Sequence, residues 1–128
     1  MELERQGDLL FTTVKVVYRG ATIEIDHVLI DTGSETTILG IDSLAPIHIK
    51  PSLDDELYTI RGVGGVEAVF ARQLDFLQVG SCRLAEFVIE VGGMDYGFSI
   101  NGILGMVFLL HAAANINLRD LKLEFLTA

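Results

Sequence analysis

Basic residues are scarce in this chain: nine Lys and Arg stand against eighteen Asp and Glu, a formal net charge of −9 over 128 residues. Nucleic acid and anionic membrane surfaces are held through Lys/Arg footprints, so this balance excludes both as partners. Cysteine occurs once, at Cys82, so no internal disulfide can form, which suits a reducing compartment and a cytoplasmic location. Cys82 lies in a strand-like run with no histidine near it in sequence, and reads as a small buried hydrophobe rather than a reactive thiol. Tryptophan is absent, and the seven Phe and three Tyr are not interleaved with bases, so there is no stacking platform for nucleic acid. The N-terminus, Met1-Glu2-Leu3-Glu4-Arg5, has no apolar signal region. Tyr96 to Leu118 lacks Lys, Arg, Asp and Glu, yet Asn101, His111, Asn115 and Asn117 interrupt it. No run approaches the roughly 18 apolar residues of a membrane span, and buried core is the better reading.

Several chemical signatures are also missing. Gly62-Val63-Gly64-Gly65 has no following Lys-Ser/Thr and no third glycine at dinucleotide spacing, so it is not a phosphate cradle. His27, His48 and His111 lie far apart with no Cys partner at zinc spacing, so no metal site is expected. No Gly-x-Ser-x-Gly elbow supplies a serine nucleophile. What remains is half apolar, with positive mean hydropathy. That composition predicts one packed domain over residues 1–128, large enough for a core without staples.

The stretch with chemical content is Asp31-Thr32-Gly33-Ser34. It follows the apolar run Val28-Leu29-Ile30 and leads into Ile38-Leu39. A carboxylate at the end of a buried strand is costly unless donors stabilise its charge. Thr32 and Ser34 offer hydroxyls, and Gly33 lets the backbone turn tightly. Background residue usage makes this tetrapeptide a chance event in roughly one chain in several hundred, so an ordinary strand-end turn remains an alternative at this point.

Along the chain, Leu9 to Tyr18 alternates as a strand, Arg19-Gly20 turns, and Thr22 to Ile30 returns to deliver Asp31. Asp42 or Ser43 can cap a helical turn that Pro46 shortens, and Asp54-Asp55-Glu56 reads as a solvated loop. Leu57 to Ile60 and Val66 to Phe70 flank Arg61-Gly62-Val63-Gly64-Gly65, a hairpin with a glycine-rich tip. The second arm is expected to continue from Ala68 to Val79, Gly80-Ser81 to turn, Arg83 to Val91 to form the next strand, and Gly92 to Gly97 a loop. Ile103-Leu104-Gly105 leads into a short helix over Met106 to Ala114, with short strands at Ile116 to Leu118 and Leu121 to Phe125. Ile23 to Leu39 and Arg83 to Leu109 form a weak internal repeat, suggesting a duplicated half-domain.

An Asp-Thr-Gly-Ser turn at a strand end, a glycine-tipped hairpin about thirty residues later and Ile103-Leu104-Gly105 before a helix occur in that order. The order, from Leu9 to Phe125, resembles the retropepsin-like aspartic proteases. In detail it is similar to the retroviral-type protease domain of DNA-damage-inducible proteins and their bacterial counterparts. The resemblance implies an all-β fold: a closed acid-protease barrel with a flap hairpin and one short C-terminal helix. It implies Asp31 as the catalytic acid, paired with that of a second copy across a two-fold axis, because one chain carries one such Asp. Thr32 would hydrogen-bond across the dimer axis, and the Gly33 N–H and Ser34 hydroxyl would orient the carboxylate. Ile60, Arg61, Gly62, Val63, Gly64 and Gly65 would form the flap over an extended polypeptide substrate, with Val28, Ile30, Ile60, Val63 and Ile103 as candidate groove residues. No cofactor is implied. Relatives commonly place Asp or Asn two residues after the second glycine, where this chain has Met106-Val107; an apolar replacement of a buried ionic network can be neutral or stabilising. The other reading is a retropepsin-fold dimerisation or peptide-binding module with little or no proteolysis.

Overall fold

The computed structural model describes residues 1–62, 65–94 and 98–125. In chain order it runs β1 (Glu4–Gln6), β2 (Leu9–Tyr18), β3 (Ala21–Ile30), β4 (Ile38–Gly40), α1 (Ile41–Leu44), a 3-10 turn (Ala45–Ile47), β5 (Tyr58–Gly62), β6 (Gly65–Gln73), β7 (Phe76–Val79), β8 (Cys82–Ala85), β9 (Val88–Gly92), β10 (Gly102–Leu104), α2 (Met106–His111), β11 (Ala114–Asn117) and β12 (Lys122–Phe125). The fold is mostly β. The β2–β3 hairpin turns at Arg19 and Gly20, both in the left-handed region, and the Asp75 carboxylate accepts both of their N–H groups at 3.0 Å.

One sheet runs in the order β5-β6-β9-β4-β10-β3-β2-β7-β8, with β1 on β2, while β11 and β12 form a separate ribbon. The expected closed barrel is not found among the described residues, because no pairing joins the two ends of this path, β5 and β8. Strand twist, roughly 20° per step, lets a long sheet curl around a core without its edges meeting. Two expected long strands are each broken. Leu74 N–H donates to the Phe87 carbonyl and Glu86 N–H to the Asp75 carbonyl, and Glu86 takes a positive φ, so the chain bends there before crossing to β2. The helix predicted over Met106 to Ala114 is shorter, ending at His111, and Ala114 already belongs to β11. α1 is a second helix, capped by Gly40 rather than by Asp42 or Ser43. Gly92, expected in a loop, ends β9. Val63 and Gly64 at the hairpin tip, and Asp95 to Gly97 in the loop, lie outside the described residues.

The central strands obey a local two-fold relation. β4 and β10 pair antiparallel with Ile38 opposite Ile103 and Leu39 opposite Gly102, so Ile38-Leu39-Gly40 and Ile103-Leu104-Gly105 meet at their isoleucines and run in opposite directions. Around that pair β10 runs parallel to β3, and β4 runs parallel to β9. Each Ile-Leu-Gly run then enters a helix, α1 or α2. Alternation divides these strands between two apolar layers. Val28, Leu39, Val91 and Leu104 join the main core with Phe108, whereas Leu29, Ile38 and Ile103 form a second cluster with Phe11, Met94 and Ile100.

Candidate active site

Asp31 follows the last residue of β3, and its backbone N–H donates to the Leu104 carbonyl at 3.1 Å. The chain then turns, with Ser34 N–H donating to the Asp31 carbonyl and Gly33 N–H donating to Asp31 Oδ1 at 2.9 Å. Asp31 is half-buried, and among the described residues its Oδ2 accepts no hydrogen bond. One carboxylate oxygen is therefore held by the backbone and the other is left for a reactant.

The second glycine motif supports this turn from below. A Cβ at Gly105 would lie 2.0 Å from the Thr36 carbonyl oxygen and 2.9 Å from that of Ser34, so only glycine fits this approach. Gly105 N–H donates to the buried Thr37 hydroxyl at 3.1 Å. α2 has no side-chain cap, and the free N–H groups of its first residues, Met106 and Val107, donate to the Ser34 and Glu35 carbonyls at 2.7 and 2.9 Å. Backbone bonds thus join α2 to the Asp31 turn, and Met106 and Val107 pack against the main core.

The remaining sequence-derived positions divide. The Ser34 hydroxyl donates to the Thr36 carbonyl at 2.9 Å rather than to the Asp31 carboxylate. Thr32 is exposed and, with Ile30, lines a groove formed with Asp8, Leu10, Ile116 and Leu118. Ile60 packs against the second apolar cluster, which contains Ile103, while Val28 is fully buried in the main core and is no groove residue. Gly62 pairs with Gly65 and Arg61 with Val66 across the hairpin. His27 stacks on Phe11 at 4.0 Å, and among the described residues no group of His, Cys, Asp or Glu gathers in a way that could hold a metal ion. No helix among the described residues is long and apolar enough to cross a membrane.

Two residues were not legible as part of this region. Thr37 looks like one more polar loop residue, and only the tertiary approach of Gly105 gives its hydroxyl a purpose. Glu90 sits in an apolar strand run, yet it is buried and its Oε2 has no partner. Asp55, read as part of a solvated loop, instead forms a two-pronged ion pair with Arg72 at 2.8 and 2.9 Å and accepts Ser52 N–H at 2.7 Å. Those contacts, led by Arg72, hold its carboxyl down at about 2.

A single acid on a glycine-bearing turn, clasped by a second glycine that opens a helix, defines the frame of a retropepsin-like aspartyl protease domain. The family model described as aspartyl protease matches residues 14–108, and the chain belongs to that family. No curated protein matches the chain.

Proposed function

We propose that this chain is an aspartic endopeptidase that acts as a two-fold homodimer, each protomer contributing one Asp31. The observation that carries this reading is a carboxylate whose Oδ1 is fixed by the Gly33 N–H and whose Oδ2 is free among the described residues. Peptide hydrolysis by carboxylates needs an acid and a base together, and one chain supplies one such group. Two carboxyls about 3 Å apart cannot both ionise and so share one proton. The ionised member takes a proton from a water held between them as that water attacks the scissile carbonyl. The protonated member polarises the carbonyl oxygen and later supplies a proton to the departing amine.

Support for pairing comes from the surface beside the turn: Thr32 is exposed, and so are Leu9 and Leu118 next to it. In this reading the β5–β6 hairpin is the flap, closing over an extended substrate and excluding water. Asp31→Asn is expected to abolish peptide cleavage while circular dichroism and sedimentation stay as in the wild type. Cleavage of a peptide library at the wild-type rate by that variant would sink the enzyme reading. Activity should be highest at mildly acidic pH, where the pair keeps its single proton, and a rate rising steadily into alkaline pH would contradict it. Each protomer carries −9, so association should tighten as added salt screens the repulsion.

The rival reading, a dimerisation or peptide-binding module of this fold, draws on one observation: the Ser34 hydroxyl donates to the Thr36 carbonyl and not to Asp31. It would be upheld by a dimer that binds peptides and cuts none across the acidic range.

A further inference from the structure

The face of the sheet opposite the main core carries a row of side chains in register. Phe11 lies opposite Leu29, Leu29 beside Ile103, Ile103 opposite Ile38, and Ile38 beside Glu90. Four apolar residues therefore lead to one carboxylate. Ile89 and Val91, the neighbours of Glu90, face the main core, so Glu90 faces the same layer as Leu29, Ile38 and Ile103. It is only 5% exposed, and its Oε2 accepts no hydrogen bond. β5, one arm of the hairpin, comes against this face: Ile60 packs on the apolar cluster, and Tyr58 reaches Glu90. Burial pushes the Tyr58 hydroxyl above its usual range, and the charge of Glu90 and a hydrogen bond to it add to the effect.

An acid kept for structure has its oxygens satisfied. Asp55 shows this, with Arg72 and Ser52 on its two oxygens. Glu90 does not, although a carboxylate offers about four acceptor positions and one tyrosine hydroxyl fills a single one. A buried unpaired charge is costly, so replacement by an apolar residue would make a better floor if packing were its only task. A ligand with a cationic side chain would supply the missing donors through charge-assisted hydrogen bonds. The net charge of −9 also draws cationic peptides to the protein. Leu29 stands two residues before Asp31, and Glu90 lies three strand spacings away, roughly 14 Å. An extended peptide covers that span in about four residues.

We infer that Glu90 is a specificity residue, the acidic floor of a subsite that takes a lysine or arginine side chain within about four residues of the cleaved bond. This rests on the endopeptidase reading above, and the experiment separates the two. Peptides varied position by position around a cleavable bond, with Lys, Arg, Gln or norleucine at each site, are offered to wild type, Glu90→Gln and Glu90→Leu, the last in case loss of charge alone upsets folding. Wild type should cut the Lys or Arg peptide at one such position with about tenfold higher kcat/KM than its norleucine counterpart. Both variants should lose that ratio, cutting the basic and norleucine peptides with similar kcat/KM. Binding of the same peptides to Asp31→Asn, read by fluorescence anisotropy, gives a second measure that needs no catalysis. A basic preference in binding that Glu90→Gln removes upholds the subsite even if the wild type cuts nothing. Absence of any Lys or Arg preference in cleavage and binding, or its survival in both Glu90 variants, overturns it.

Discussion

The two halves around the central β4–β10 pair share a frame and differ in chemistry. In the first, β3 runs out into Asp31 and the chain returns as β4; in the second, β9 runs out into Gly92 and returns as β10. Ile38-Leu39-Gly40 and Ile103-Leu104-Gly105 play equivalent parts, each ending a strand and opening a helix. The strand register places Leu29 beside Ile103 and Glu90 beside Ile38, so Glu90 occupies in the second half the place of Leu29 in the first. The position that Asp31 holds in the first half is taken by Gly92 in the second. Duplication of the frame has thus not duplicated the acid at that position, and the mechanism proposed above takes its second carboxylate from a second copy of the chain.

The largest effect is expected where the halves clasp most closely. A Cβ at Gly105 would come within 2.0 Å of the Thr36 carbonyl oxygen, which belongs to the turn holding Asp31. Gly105→Ala must push that turn away, and a loss of about 4 kcal/mol of stability is expected, with activity lost alongside. Thermal or urea unfolding measures the first and peptide cleavage the second. A variant as stable and active as the wild type would mean that the clasp does not set the turn.

Thr37→Val tests the same clasp more gently. It keeps the shape but strands the Gly105 N–H, which now donates to the hydroxyl. A buried donor left unpaired costs about 1–3 kcal/mol, which urea unfolding would report. Gly40→Ala probes the equivalent point of the other half. There the nearest atoms to a Cβ, the Asn101 carbonyl oxygen and Met94 Cγ, are both at 3.2 Å, so small shifts relieve the contact. A loss of about 1 kcal/mol or less is expected. A larger loss for Gly40→Ala than for Gly105→Ala would reverse the comparison between the halves.

Much of this frame was readable in the residues. The alternation of Leu9 to Tyr18 marks β2 to its ends, and Asp31-Thr32-Gly33-Ser34 marks the turn, because both patterns are local. The weak repeat of Ile23 to Leu39 in Arg83 to Leu109 suggests two halves, although its first copy reads as ending in a strand, short of Gly40 and the helix that follows. What was not legible depends on contacts across the fold. The breaks at Leu74 and Glu86 exist because two distant segments bond there. The Ser34 hydroxyl bonds to the Thr36 carbonyl, a choice of acceptor that the residue order alone does not fix. Glu90 is masked by its neighbours Ile89 and Val91, since a period of two says which residues share a face but not how deeply that face is covered.

Between the halves lies a long segment with no counterpart, and one ion pair ties its loop to β6. Asp55 takes both prongs of Arg72, and Arg72 also donates to the Lys50 carbonyl. Because the folded carboxyl, at about 2, binds its proton less readily than in the unfolded chain, the pair stabilises the fold fully above pH 4 or so. That contribution fades as the pH falls through about 2. Carboxyl titration by nuclear magnetic resonance should place Asp55 there, and Arg72→Leu should return it to the ordinary aspartate range. The effect on global stability should be the smallest of those above, because the tie holds a loop rather than the paired strands. A wild-type Asp55 titrating near 4 would show that the pair does not persist in solution. A loss of stability in Arg72→Leu as large as in Gly105→Ala would make the unpaired segment, rather than the two-fold frame, the part on which the fold relies.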